Sequence, residues 1–232
     1  MDGWTEYVAA FAVFMLSHAV PARPAVRGRL VDLLGERVYL IVYMALSLIL
    51  LGWLIVAASR APYVELWSYA SWQAWAPAVV MPAVCFLAAF GAGAINPLSF
   101  GGRRPDAFDP DDPGIAGFTR HPILWALALW AAAHIVPNGD LAHGVLFGVF
   151  TLFSLTGMAV IDRRRRRQFG EAEWRRLAVH TSAVPFVALA TGRWRPTHVL
   201  PDWRRLLAAG LLYVALLLLH PVLIGVSPFP AG

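Results

Sequence analysis

The sequence contains one cysteine, no lysine and few charged side chains. Cys85 alone rules out an internal disulfide and any thiolate metal cluster. All 19 basic residues are arginine, and charged residues make up only 14% of the 232 positions, far below a soluble domain. No basic residue precedes the first apolar run, so this run is predicted to be a retained helix and not a cleaved signal peptide.

What the sequence has in abundance is apolar residues, at 59%, with a mean hydropathy of +0.60. Several apolar runs approach the ~20 residues that cross a bilayer. We therefore predict an all-α, polytopic membrane helix bundle of about six transmembrane helices, forming one domain over residues 1–232. The predicted spans are about 4–20, 35–58, 76–95, 120–136, 143–161 and 203–224. Residues 162–202 are predicted to form a cytoplasmic amphipathic segment.

The arginines are distributed unevenly about these spans. All except Arg60 lie in the segments next to the ends of the first, third and fifth spans and the start of the sixth. Under the positive-inside rule both termini face away from the cytoplasm, as in a multi-pass protein of a bacterial inner membrane. The net charge of +5 then reflects topology, so we expect membrane lipids and no nucleic acid as partners. The run Arg163–Arg167 is explained as a topology anchor or a contact with anionic lipids.

Three histidines fall inside predicted spans, where a polar ring is costly and marks a functional candidate. They are His18, His134 and His220. Without a cysteine cluster, imidazole ligation of a metal or of haem iron is the chemistry that they suit. The alternative for each is a hydrogen bond to a neighbouring carbonyl.

A fourth histidine, His121, is expected at the cytoplasmic end of its span, beside Arg120 and near Asp162. The preceding stretch, 96–117, is rich in Gly, Pro and Asp. We interpret it either as a solvated loop or as a mobile flap over this end of the bundle.

A series of short motifs is spread along nearly the whole chain. They are Ser17-His18, Leu34-Gly35-Glu36-Arg37, Thr119-Arg120-His121-Pro122, Ala133-His134, Asp162-Arg163-Arg164 with Phe169-Gly170-Glu171-Ala172, Thr181 to Phe186, and His220-Pro221. This set resembles the NnrU family and its relatives, the plant 15-cis-zeta-carotene isomerases. The resemblance implies an integral membrane protein, tied by the family name to nitrite and nitric oxide metabolism in denitrifiers.

The isomerase relatives contain haem b and carry out a redox-gated double-bond isomerisation. Their proposed axial histidines match His18 and His134, and His220 is the alternative to His18 on topology. The plant enzymes have a cysteine three residues before the second axial histidine, where this chain has Ala131. The resemblance therefore implies bis-histidine haem b and, if the protein is an enzyme, a cis-trans isomerase acting on a lipophilic polyene.

A second resemblance covers only the C-terminal half. Arg120, His121 and Asp162 are similar to the residues with which isoprenylcysteine and phospholipid methyltransferases hold S-adenosylmethionine, although those enzymes have Glu where this chain has Asp162. The alternative function is thus a membrane methyltransferase-like enzyme. A third is a non-enzymatic, haem-bearing assembly or electron-relay subunit that works with respiratory or denitrification proteins.

Overall fold

A computed structural model describes residues 2–21, 23–102, 105–196 and 202–229. Ten α-helices lie in these ranges: α1 Gly3–Ala19, α2 Pro24–Leu34, α3 Glu36–Arg60, α4 Trp75–Gly91, α5 Ile115–Phe118, α6 Pro122–Ile135, α7 Leu141–Phe169, α8 Glu171–Ala178, α9 Val187–Ala190 and α10 Trp203–Leu223. Two short 3-10 helices, Ser71–Ala74 and Pro105–Ala107, complete the list. Among the described residues the only β pairing is an isolated bridge between Glu65 and Asp140, so the all-α prediction is confirmed.

Four helical segments are long and apolar enough to cross a membrane: α3, the continuous helical segment Ser71–Gly91 that ends in α4, α7 and α10. The predicted first and fourth spans correspond to shorter helices, α1 with 17 residues and α6 with 14. At 1.5 Å per residue α6 is only about 21 Å long, which is less than the hydrocarbon thickness of a typical bilayer. The count of six spans and the orientation of the termini stay predictions.

The chain divides into two compact units. Unit 1 comprises the chain up to Ser68 together with Gly139–Leu146, and unit 2 comprises Tyr69–Asn138 together with the chain from Phe147 onward. In unit 1, α1 packs along α3, and α2 contacts α3. The Tyr7 hydroxyl donates to the carbonyl of Ala142, with an O···O distance of 2.8 Å. Glu6 accepts from Trp53 Nε1 at 3.3 Å and pairs with Arg60 at 3.4 Å, which ties α1 to the far end of α3.

In unit 2, α4 packs against both α6 and α10. Small side chains permit the close approach of α4 and α6, because a Cβ on Gly91 would lie 2.8 Å from Cγ of Pro122. Arg205 at the start of α10 donates from Nη1 to the carbonyls of Ala89 and Phe90, at 2.8 and 2.9 Å. These bonds satisfy carbonyls at the C-terminus of α4 that have no partner within the helix.

The helix α7 continues past the predicted end of its span and includes the whole arginine run. It stops at Gly170, whose φ of 80° is a conformation that glycine adopts without strain. The amphipathic α8 begins at the next residue and buries Trp174 and Leu177. Leu98, which is fully buried, packs with these two side chains.

Candidate functional site

Unit 2 brings together Arg120, His121 and Asp162, the three residues of the predicted S-adenosylmethionine site. His121 is the residue immediately before α6, and Asp162 lies on α7. Asp162 Oδ2 accepts from Arg120 Nη2 at 2.7 Å, and its Oδ1 lies 2.9 Å from His121 Nε2 and 3.4 Å from Arg120 Nε. A carboxylate with three N–H donors around it is held in its ionised form by the adjacent guanidinium.

The other side of the His121 ring contacts Ser99, which the sequence did not single out. Ser99 Oγ lies 2.7 Å from His121 Nδ1, and both side chains are buried. Because the ionised Asp162 carboxylate can only accept, a neutral His121 donates from Nε2 and accepts the Ser99 hydroxyl proton at Nδ1. Ser99, His121 and Asp162 therefore form one continuous hydrogen-bond chain in which both ring nitrogens are occupied.

Thr181 and Trp174 complete the surroundings of Arg120. Arg120 Nη1 donates to Thr181 Oγ1 at 3.2 Å, and its guanidinium carbon lies 5.5 Å from the centre of the Trp174 ring. Thr181 in turn donates to the carbonyl of Ala178 at 3.0 Å. We call Ser99, Arg120, His121, Asp162 and Thr181 the Asp162 cluster.

The backbone around the Asp162 cluster is also fixed by long-range hydrogen bonds. Asn96 Nδ2 donates to the carbonyl of Arg120 at 2.9 Å, and the Arg120 amide donates to the carbonyl of Ser182 at 2.7 Å. Thr119 Oγ1 and Trp125 Nε1 both donate to the carbonyl of Ala183, at 3.0 and 2.8 Å. The Thr-Arg-His-Pro motif is thus bonded to two separate stretches of unit 2, one at Asn96 and one at Ser182 and Ala183.

The stretch 96–117, predicted as a loop or flap, contains buried residues near its start and exposed aspartates further along. Asn96, Leu98 and Ser99 are buried, and two of them bond directly to the Arg120–His121 pair. Asp106, Asp109, Asp111 and Asp112 are exposed. Arg103 and Arg104, which the sequence analysis used for topology, lie outside the described residues. The N-terminal part of the stretch is therefore built into the Asp162 cluster.

The histidine side of the Asp162 cluster is buried, and only the Arg120–Asp162 side is partly exposed to solvent. The His121 side chain is 0% exposed, whereas Arg120 and Asp162 keep 14% and 21% of their side-chain surface accessible. Any small molecule that reaches the cluster would meet the outer edge of the Arg120–Asp162 pair and not the histidine.

His134 lies near the C-terminal end of α6 and differs from His121 in its bonding. Its Nδ1 lies 2.7 Å from the carbonyl oxygen of Trp130, one turn earlier. Its ring contacts the rings of Trp130 and Phe147, with centroids 5.6 and 5.4 Å away. A carbonyl can only accept, so the proton is on Nδ1 and the Nε2 lone pair is left over.

His220 on α10 has the same arrangement, with Nδ1 2.7 Å from the carbonyl oxygen of Val226. It belongs to unit 2, as does His134. His18 lies in unit 1, where its Nδ1 is 2.8 Å from the carbonyl oxygen of Phe14 and its ring contacts Phe14 and Tyr43. Within the described part of the chain, Nε2 of each of these three histidines has no hydrogen-bond partner.

We refer to His18, His134 and His220 as the apolar-helix histidines, and their bonding fits ligation of a metal. A ligating histidine characteristically donates its second ring N–H to a carbonyl or carboxylate, which fixes the ring and leaves the other nitrogen for the metal. No group of three or more His, Cys, Asp or Glu side chains able to hold a metal occurs among the described residues. Axial ligation of haem iron needs only two imidazoles. Ala131, where the plant enzymes have cysteine, is fully buried on α6.

Comparison with known proteins agrees with the motif pattern. The family model described as NnrU protein matches residues 6–228. No curated protein and no solved structure matches the chain. Since the match covers nearly the whole sequence, the resemblance drawn from the motifs is confirmed: the chain belongs to the NnrU family.

Proposed function

We propose that this protein holds haem b within the membrane between two neutral imidazoles, one of them from His134. The observation that carries the proposal is the bonding of the His134 ring. Its Nδ1 proton is committed to the carbonyl of Trp130, and its Nε2 has no partner among the described residues. In an apolar helix such an unsatisfied nitrogen is costly unless it has a ligand.

The second ligand is His18 in the pair that the family resemblance implies, and His220 in the alternative pair. Both present the same fixed Nδ1 and unpartnered Nε2. His220 is favoured by its place in the same unit as His134, and His18 by its match to the isomerase relatives. The experiment below distinguishes the two pairs.

The surrounding residues would orient and shield the group. Trp130 and Phe147 contact the His134 ring and supply flat apolar surfaces of the kind that line a porphyrin site. Haem b bound through two imidazoles supplies a one-electron redox centre. With Ala131 in place of cysteine, no side chain at that position can exchange with an imidazole, so the protein's own contribution is two fixed nitrogen ligands and a dry environment.

The activity that this centre would support is redox-gated cis-trans isomerisation of a lipophilic polyene. The competing assignment is a haem-bearing electron-relay or assembly subunit for proteins of nitrite or nitric oxide reduction. Turnover distinguishes them: an isomerase converts a cis polyene in detergent or nanodiscs when its iron is reduced, without a protein partner. A relay subunit shows no conversion and is reoxidised by a partner reductase.

The test of haem binding is the absorption spectrum of detergent-purified protein from haem-sufficient cells, oxidised and reduced. Wild type is expected to show the Soret band of a low-spin b-type haem. The single variant His134→Ala should lose this band. One of the other two single variants, His18→Ala or His220→Ala, should also lose it, and that one identifies the second ligand. His180→Ala is the matched control, because His180 lies outside the long apolar helices and should keep the spectrum. A wild type without a Soret band, or an unchanged band in His134→Ala, would show the assignment to be wrong.

A second candidate function is binding of S-adenosylmethionine at the outer edge of the Asp162 cluster. The observation in its favour is that Arg120 and Asp162 are adjacent and remain partly exposed. Calorimetric titration of the purified protein with S-adenosylmethionine tests it, with Asp162→Asn as the variant and Asp112→Asn as the control. Binding that disappears only in Asp162→Asn supports this function, and no binding to folded wild type rejects it.

A further inference from the structure

The five arginines at the end of α7 fall into two groups by their contacts. Arg165 donates to Gln168 at 2.9 Å. Arg166 pairs with Glu171 at 3.5 Å and lies over the Trp174 ring. Arg163, Arg164 and Arg167 are exposed and have no acidic or hydrogen-bonding partner in the described ranges. A topology anchor requires only the positive charges, so it does not account for the separation into partnered and unpartnered arginines.

The three unpartnered arginines share one face of α7. With Val160 they stand at positions i, i+3, i+4 and i+7, which adjoin on a helix surface. Together the four line a shallow groove, which we call the arginine groove. Val160 is 59% exposed, and Phe153, two turns earlier, is 52% exposed. An apolar helix surface therefore leads directly into three adjacent guanidinium groups.

This arrangement differs from the other basic surface nearby. On α8, Arg175 pairs with Glu171 at 2.9 Å, and Arg176 pairs with Glu173 at 2.7 Å. The Arg176 guanidinium holds the pKa of the Glu173 carboxyl below its ordinary value by hydrogen bonding to it. The charges on α8 are thus balanced within the protein, whereas those of the arginine groove have no acidic partner in the described ranges and are open to an anion from outside.

We propose that the arginine groove binds the phosphate headgroup of an anionic phospholipid, whose acyl chain lies along Val160 and Phe153. Guanidinium groups offer paired N–H donors that match phosphate oxygens. The position at the end of a membrane-spanning helix places them at the depth of the headgroups, and the apolar surface below accepts a chain that a free phosphate ion does not have. The expected ligand is a phospholipid with net negative charge, such as phosphatidylglycerol.

The test is native mass spectrometry of the full-length protein titrated with phosphatidylglycerol, and in parallel with phosphatidylcholine. The variant is Arg163→Gln/Arg164→Gln/Arg167→Gln, and the control Arg175→Gln/Arg176→Gln/Arg193→Gln removes the same charge from exposed positions elsewhere. Three arginines near a lipid headgroup are worth roughly a hundred-fold in affinity. We expect that loss in the groove variant, a change of less than about threefold in the control, and weak binding of phosphatidylcholine throughout.

Two further measurements test lipid binding even if the groove variant inserts poorly into the membrane. Wild-type protein is labelled with a photoactivatable phosphatidylglycerol, and the cross-links should map to residues 153–167. Inorganic phosphate at millimolar concentration should not displace the lipid. Equal losses in both triple variants, cross-links elsewhere on the protein, or displacement by inorganic phosphate would each overturn the proposal.

Discussion

Two histidines at opposite ends of α6 have opposite bonding. His121, just before the helix, uses both ring nitrogens, one with Ser99 and one with Asp162. His134, near the helix end, uses only Nδ1, which donates to the carbonyl of Trp130. A buried polar group that is fully satisfied rigidifies the structure, whereas a ring nitrogen without a partner can still take a ligand. We infer that His121 holds the fold, whereas the proposed function gives His134 the role of a haem ligand.

The largest effect is expected from Asp162→Ala, which breaks the satisfied site at its centre. It removes the common acceptor of Arg120 and His121 and leaves a guanidinium that is only 14% exposed without its counter-ion. Loss of one partner from such a pair costs about 3 kcal/mol in the free energy of unfolding. The measurement is reversible unfolding in mixed micelles, with exposed Asp112→Ala as the control. A variant as stable as wild type would mean that the cluster is not structural.

A smaller effect is expected from Ser99→Ala, which removes the hydroxyl from one side of His121. The Nδ1 lone pair of a ring that is 0% exposed then has no donor, whereas the bond to Asp162 remains. An unsatisfied buried acceptor costs about 1–2 kcal/mol. Ser59→Ala, at an exposed position, is the control in the same unfolding assay. Equal stabilities of the two variants would argue against the Ser99–His121 bond.

The smallest effect in this series is expected from Thr181→Val, which preserves the shape of the side chain and deletes only its hydroxyl. Arg120 loses the acceptor for Nη1 but keeps both bonds to Asp162. The expected loss is about 1 kcal/mol. Thr156→Val, an exposed substitution on α7, should change stability by less than half as much. If the order of Asp162→Ala, Ser99→Ala and Thr181→Val were reversed, Asp162 would not be the centre of the cluster.

The sequence predicted what depends on local pattern and hydropathy. The run 35–58 corresponds to α3, and the approach of Arg120 and His121 to Asp162 followed from the motif that the resemblance supplied. The partners Asn96 and Ser99 were not foreseen. Asn96 lies 24 residues before Arg120, and Ser99 lies 22 residues before His121. Both are in an irregular, glycine-rich stretch, where neither periodicity nor spacing indicates a contact.

The bonding of the apolar-helix histidines could be predicted only in part. The cost of a polar ring in an apolar helix identified His18, His134 and His220, and the alternative of a bond to a neighbouring carbonyl was also foreseen. In the structure each histidine makes that carbonyl bond with Nδ1 and retains Nε2. Sequence alone does not say which nitrogen is engaged, because the choice depends on the side-chain rotamer.

The most direct test of the contrast between the two histidines is one substitution made at both positions, His121→Leu and His134→Leu, with two measurements on each protein. We expect His121→Leu to lower the free energy of unfolding by about 2 kcal/mol, because Asp162 and Ser99 lose their partner, and to keep the low-spin Soret band. His134→Leu should lose that band, while its haem-free form unfolds within about 1 kcal/mol of haem-free wild type. An unchanged Soret band in His134→Leu, with a loss of stability equal to that of His121→Leu, would contradict the division of roles.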